Sequence, residues 1–369
     1  MYDRRKGALR HVARIDFVMT IVGSFSLVAL AVASATAQVP VQVRVDSAKR
    51  EVVITAGPYQ LPANPPGAHE GMAGMEDEPE DLLVQEFAWP LTTWVRGFRL
   101  TIVDGAGRPL PRGLMHHMSM MNLDRREVVY PIVERLLGAG RETEDVVFPS
   151  TVGIPIEAGH RLALYIMWDN QTGTEVPDAY LRLTLPWISP RQVPKPVVAL
   201  PFLVDVNFNF GGGNSYPVPP GRSTRTYDFT VPLAGRLLAA GGHLHDFGSG
   251  LRLEDTKSGK TIVRIRPKRT PDGRVLGMSR QLFGTRGRGP KLTPDRTYRL
   301  VVEYDNPTGE PAPHVMGSIA GLFVPDDLRK LPAIDPDDPA YRADAAWMAR
   351  IRMRTGATAV GNEHHHEHD

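Results

Sequence analysis

His243-Leu244-His245 is the segment best equipped for chemistry. On a strand, side chains at i and i+2 leave the same face, so both imidazoles can reach one ion. Met316 follows about 71 positions later, beside His314 and just after an Asp-Asn turn. Two imidazoles and a thioether form a soft, low-coordinate donor set that suits Cu(I) better than zinc or magnesium. Gly241 and Gly242 leave room around the rings, and Asp246 offers an acceptor for an imidazole N–H. Taken alone, a His-x-His pair is more simply a solvated strand face. Met316 and the internal repeat described below favour a metal. The 369 residues include no cysteine, which removes every thiolate site and every disulfide.

Other donors are scattered along the chain. His116 and His117 lie among Met115, Met118, Met120 and Met121, most of which read as core filling. His69, Met72 and Met75 precede the acidic run 76–81 and are spaced like a copper-capturing loop, with an ordinary loop as the plainer reading. His364, His365, His366 and His368 at the C-terminus could gather a divalent metal. From Arg264 to Arg288 there are eight basic residues against one acid, Asp272. That is a long solvated hairpin or, more sharply read, a face for an anionic partner. No nucleophile elbow, phosphate loop, dinucleotide fingerprint or zinc-protease motif occurs.

These residues need elements to hold them. Gly (35) and Pro (33) are frequent and long amphipathic stretches are scarce, which favours short strands joined by turns. The chain also repeats itself. LYIMWDNQTGTEVPDAY (164–180) matches LVVEYDNPTGEPAPHVM (300–316), and each is preceded by a segment with paired histidines, 112–122 and 236–248. The offsets are about 136 residues for the Asp-Asn turns and about 127 for the histidines. The expectation is an all-β protein of two tandem sandwiches, 38–190 and 198–330, joined by a Pro-rich linker at 191–197. An acidic loop, a short helix near 340–354 and the His-rich tail fill 331–369.

Residues 1–37 read as an export signal: basic residues, an apolar run from Phe17 to Ala33, then Ala35-Thr36-Ala37 before Gln38. The run is long enough that an uncleaved anchor is the alternative. Either way the folded part is expected outside the cytoplasm, periplasmic or secreted. A formal net charge of +2 gives no general pull toward nucleic acid, and a membrane enters only through an uncleaved N-terminus.

The order HHM, then HLH, then a Met about 70 residues on, together with Tyr304-Asp305-Asn306-Pro307, resembles the copper type II ascorbate-dependent monooxygenases. The resemblance spans most of residues 95–330 through short motifs. It implies two jelly-roll domains with one copper each, facing across a solvent-filled cleft. His243, His245 and Met316 would hold the oxygen-activating copper. His116 and His117 would be two of three ligands of an electron-transfer copper. Met167 stands where the family places a third histidine, and a thioether there would stabilise Cu(I). Adjacent His116 and His117 cannot face the same way on a regular strand, so a bulge or a strand end is required.

Read this way, the protein binds one or two copper ions and hydroxylates a C–H bond with O2. Its partners would be a small-molecule or peptide substrate and a reductant such as ascorbate, with a copper-donor protein as a further candidate. Two other functions fit the same residues: a non-catalytic copper carrier or store, and an adhesion or sugar-binding module in which the histidines are incidental.

Overall fold

Alternation builds the sheets. In the strand Glu51–Leu61, Val52, Ile54 and Ala56 are fully buried while Glu51, Val53 and Thr55 stay partly exposed. Branched and aromatic side chains repeat this pattern throughout, each contributing roughly 1.5–3 kcal/mol when fully buried. A computed structural model describes residues 41–64, 83–284 and 289–357. The N-terminal segment 1–40, the His69/Met72/Met75 segment and the tail with His364, His365, His366 and His368 lie outside the described residues.

The described chain is all-β, two jelly-roll sandwiches in tandem with one helix. In the first, a larger sheet built on Glu51–Leu61, Val176–Ile188 and Gly97–Val103 faces a four-stranded sheet. The order of that second sheet is Leu83–Ala88, Arg161–Trp168, Met115–Arg126, Val133–Gly140. In the second sandwich, a sheet built on Leu200–Asp205, Gly317–Pro325 and Gly235–Leu244 faces another four-stranded sheet. There the order is Gly221–Phe229, Tyr298–Asn306, Gly248–Asp255, Lys260–Ile265. Each sandwich has its own core, the first around Ile54, Leu164 and Leu183, the second around Phe202, Leu300 and Phe323.

The repeated turns are built alike down to single hydrogen bonds. Asn170 accepts from the Thr172 N–H and hydroxyl and donates to the Thr174 carbonyl. Asn306 does the same with Thr308 and Glu310. Gly173 and Gly309 take φ of 74° and 81°, a region that excludes most side chains.

The connection between sandwiches is anchored. After a short turn at Pro190–Gln192, Val197–Val198 pairs in parallel with Val152 and Gly153 of the first sandwich. Tyr130 of the first sandwich stacks on Phe208 of the second, with ring centroids 4.1 Å apart, and its hydroxyl accepts from the Asp205 N–H.

The helix Pro339–Ala357 returns to the first sandwich. Asp338 caps it by accepting from the Ala340 N–H, with Pro339 in the first turn where its missing donor costs nothing. Met348 and Ile351 pack on Val84, Met121, Val133 and Ala163 of the four-stranded sheet, and Asp344 pairs with Arg135. No described helix is long and apolar enough to cross a membrane.

Candidate metal centre

Four histidines from the two sandwiches meet in one place. His116 and His117 lie at the start of the strand Met115–Arg126, and Met167 lies on its neighbour Arg161–Trp168. The pairing runs Met167 to His117 and then Trp168 to Met115, so His116 is the extra residue of a bulge. The bulge turns both rings to the same side, and they stack with centroids 4.1 Å apart. From the second sandwich, His243 sits near the end of Gly235–Leu244, paired with Ser318. His245 follows just beyond that strand, held by its N–H donating to the Met316 carbonyl.

Distances define a shared centre. His117 Nε2 is 3.2 Å from His243 Nε2. The His245 ring stacks on His117 at 5.5 Å and meets His243 edge-on at 5.0 Å. One ring nitrogen from each of His116, His117 and His245 lies within 4.8 Å of the others, close enough to share one cation. The Met167 sulfur is 3.1 Å from His116 Nδ1. His245 Nδ1 donates to the His314 carbonyl at 2.9 Å, while its Nε2 is buried without any partner. An orphaned buried nitrogen among other imidazoles is what a metal would satisfy.

The electrostatics keep most of these rings neutral. Burial, helped by the Arg141 charge, pushes His116 down to about 4. Burial and the neighbouring imidazoles drive His117 and His245 well below the usual histidine range. Burial would lower His243 too, but the Glu142 carboxylate, 2.7 Å from its Nδ1, outweighs this and holds the ring above its usual value. Burial would raise Glu142, yet His243 brings it down to about 2. Glu142 comes from the first sandwich, in a turn closed by the Thr143 N–H donating to the Gly140 carbonyl. A Cβ on Gly140 would stand 2.3 Å from the Glu142 carboxylate, so any larger residue there would push that carboxylate aside.

The arrangement differs from the expectations in how its parts are spaced. Two separate centres across a solvent-filled cleft are not what the chain forms, since His117 and His243 are within hydrogen-bond distance. Met316 and His314 each accept from His245 through their backbone carbonyls, at 3.3 and 2.9 Å. Gly242 makes room for packing, because a Cβ there would stand 2.4 Å from Leu251. Asp246 accepts from the Val275 N–H, while Glu142 and the His314 carbonyl meet Nδ1 of His243 and of His245.

The histidine pairs are also not equivalent within the repeat. Trp168 pairs with Met115 and Tyr304 with Gly248, and each pairing is followed by the same skipped residue. The counterparts of His116 and His117 are therefore Ser249 and Gly250, and the counterpart of Met167 is Glu303. His243 belongs to the opposite sheet of its sandwich, and His245 follows just beyond the same strand. The differing offsets, about 127 against about 136, carried that signal. Glu142 left none in the sequence, being 101 positions from the ring it orients.

No family model matches the chain, and no curated protein matches it. Among solved structures it is similar to the major capsid protein P2 of bacteriophage PM2, at 10% identity and a TM-score of 0.33 over 74% of this chain and 99% of that one. PNGF-II is similar at 11% identity and a TM-score of 0.32, over 74% and 66%. A fucolectin from striped bass (Morone saxatilis) serum is similar at 9% identity and 0.20, over 75% and 97%. These scores are too low to carry an argument, and the fold description rests on the chain's own sheets.

Proposed function

We propose that this protein binds a single copper ion between its two sandwiches and serves to hold or carry it. One observation supports the reading most: ring nitrogens of His116, His117 and His245 lie within 4.8 Å of one another, and His245 Nε2 is buried with no partner. The low proton affinity of these three rings keeps their lone pairs free at neutral pH. Met167 adds a thioether beside His116. Such a donor set favours Cu(I), which would supply one-electron chemistry when bound. Glu142 fixes the His243 ring from the first sandwich, so that its Nε2 faces His117.

Holding fits the geometry better than hydroxylation. The monooxygenase resemblance asks for two ions with solvent between them, whereas the imidazoles here stack on one another. The decisive experiment is a Cu(I) titration of the apo-protein against a chromophoric chelator, followed by oxygen uptake with ascorbate. One ion per chain, lost in His117→Ala and in His245→Ala, without turnover, is the expected result. Sustained ascorbate-dependent oxygen consumption would restore the enzyme reading. Absence of stoichiometric binding would leave an adhesion or sugar-binding module.

A further inference from the structure

Away from the histidines, a cleft of about 350 Å³ opens where the turn between Val41–Asp46 and Glu51–Leu61 meets the end of Val176–Ile188 and the inter-sandwich connection. Lys49, Arg50 and Arg96 line it, and none of its lining residues is acidic. Trp187 and Val193 supply an apolar wall, with Ser150 at the rim.

Arg96 is the unusual member. It is half-buried, and its Nη2 donates to the Phe148 carbonyl at 2.6 Å. Its Nε is buried without an acceptor, as is the Trp187 indole nitrogen. Burial lowers the Arg96 pKa, and no carboxylate among the described residues pairs with it. A partly desolvated guanidinium beside two more cations is costly unless an anion joins it. Arg99, three residues on in the strand Gly97–Val103, shows the ordinary solution, an ion pair with Glu51.

We propose that this cleft is a binding site for a small organic carboxylate, its anionic end on Arg96, Arg50 and Lys49 and its apolar body against Trp187 and Val193. Guanidinium groups match carboxylate oxygens in geometry as well as charge, and an indole face suits a flat body. Because Val193 belongs to the connection between sandwiches, an occupant would touch both that segment and the first sandwich. The site is independent of the metal centre.

The test is calorimetric titration of the full chain with benzoate, in parallel with benzamide and inorganic phosphate. Saturable one-to-one binding of benzoate is expected, weakened by added salt and about tenfold weaker in Arg96→Gln through loss of a charge-assisted contact. Lys49→Glu, on an exposed turn, should weaken it comparably while leaving the melting temperature unchanged, which guards against a misfolded Arg96 variant. Benzamide binding as tightly as benzoate would overturn the proposal, since charge would then play no part. So would phosphate displacing benzoate at equal concentration, or wild-type affinity in both variants.

Discussion

Glu142 reaches across from one sandwich to orient an imidazole of the other, its carboxylate 2.7 Å from His243 Nδ1. Orienting partners of this kind typically change metal affinity by about 10–100-fold. Glu142→Gln should therefore weaken Cu(I) binding by about tenfold in chelator competition, and an unchanged affinity would remove Glu142 from the site. The buried rings also make a contribution to the stability of the metal-free protein that is lost in acid. Unfolded histidines take up protons below about pH 6.5. His116 refuses one until about pH 4, and His117 and His245 lie well below 6.5 as well. Through these three rings the unfolded state binds more protons across that window, so their contribution is complete above 6.5 and falls as pH drops. His116 alone accounts for about 3 kcal/mol by pH 4. His243, raised by Glu142, works in the opposite sense above pH 6.5. Buried Glu127 and Asp205, raised to about 8 and about 7, also work in the opposite sense. In urea melts, apo His116→Gln should gain stability relative to the apo wild type as pH falls from 7.5 to 5, and an unchanged difference between the two would contradict this. At this scale the sequence was informative about donor types and silent about partners. His243 and His245 announce themselves by spacing. The acceptors that aim them are backbone carbonyls and a distant carboxylate, which only packing brings near.

Strands, turns and bulges carried most of what could be read in advance. The two Asp-Asn-x-Thr-Gly turns are written out in the sequence because the asparagine amide, the threonine hydroxyl and the left-handed glycine are all local requirements. Adjacent histidines demanded a bulge or a strand end, and the skipped residue at His116 is a bulge. Sheet membership was not legible. Met115–Arg126 and Gly235–Leu244 look alike in pattern, but which face of which sandwich each joins depends on pairings made over a hundred residues away. The helix was visible as a helix, but its seat was not. Met348 is 8% exposed and packs among Val84, Met121 and Ala163. Met348→Ala should cost about 2–4 kcal/mol in denaturant melts, the range for a buried methionine. A loss under about 0.5 kcal/mol, the scale of a surface change, would mean the helix is not seated there in solution.

For the molecule as a whole, the two sandwiches share contacts of several kinds. Tyr130 stacks on Phe208, Arg280 pairs with Glu144, and Leu238 and Leu322 of the second sandwich join the first core. A metal held by histidines from both adds a link between them. Ligand binding to the folded state alone stabilises by about 2.7 kcal/mol at a hundredfold excess over Kd. Copper should accordingly raise the unfolding temperature of both sandwiches together in scanning calorimetry. A shift confined to one of two transitions would place the ion within a single sandwich.

The strip of sheet covered by the helix has a consequence during synthesis. Val84, Met121, Val133 and Ala163 are translated before the second sandwich begins, and their cover comes only after that sandwich is finished. A nascent first half therefore waits, greasy side bare, for a plaster that the ribosome has yet to make. Sticky surfaces of this sort aggregate or attract chaperones. The order of translation, as much as the final packing, sets how dangerous this chain is to make.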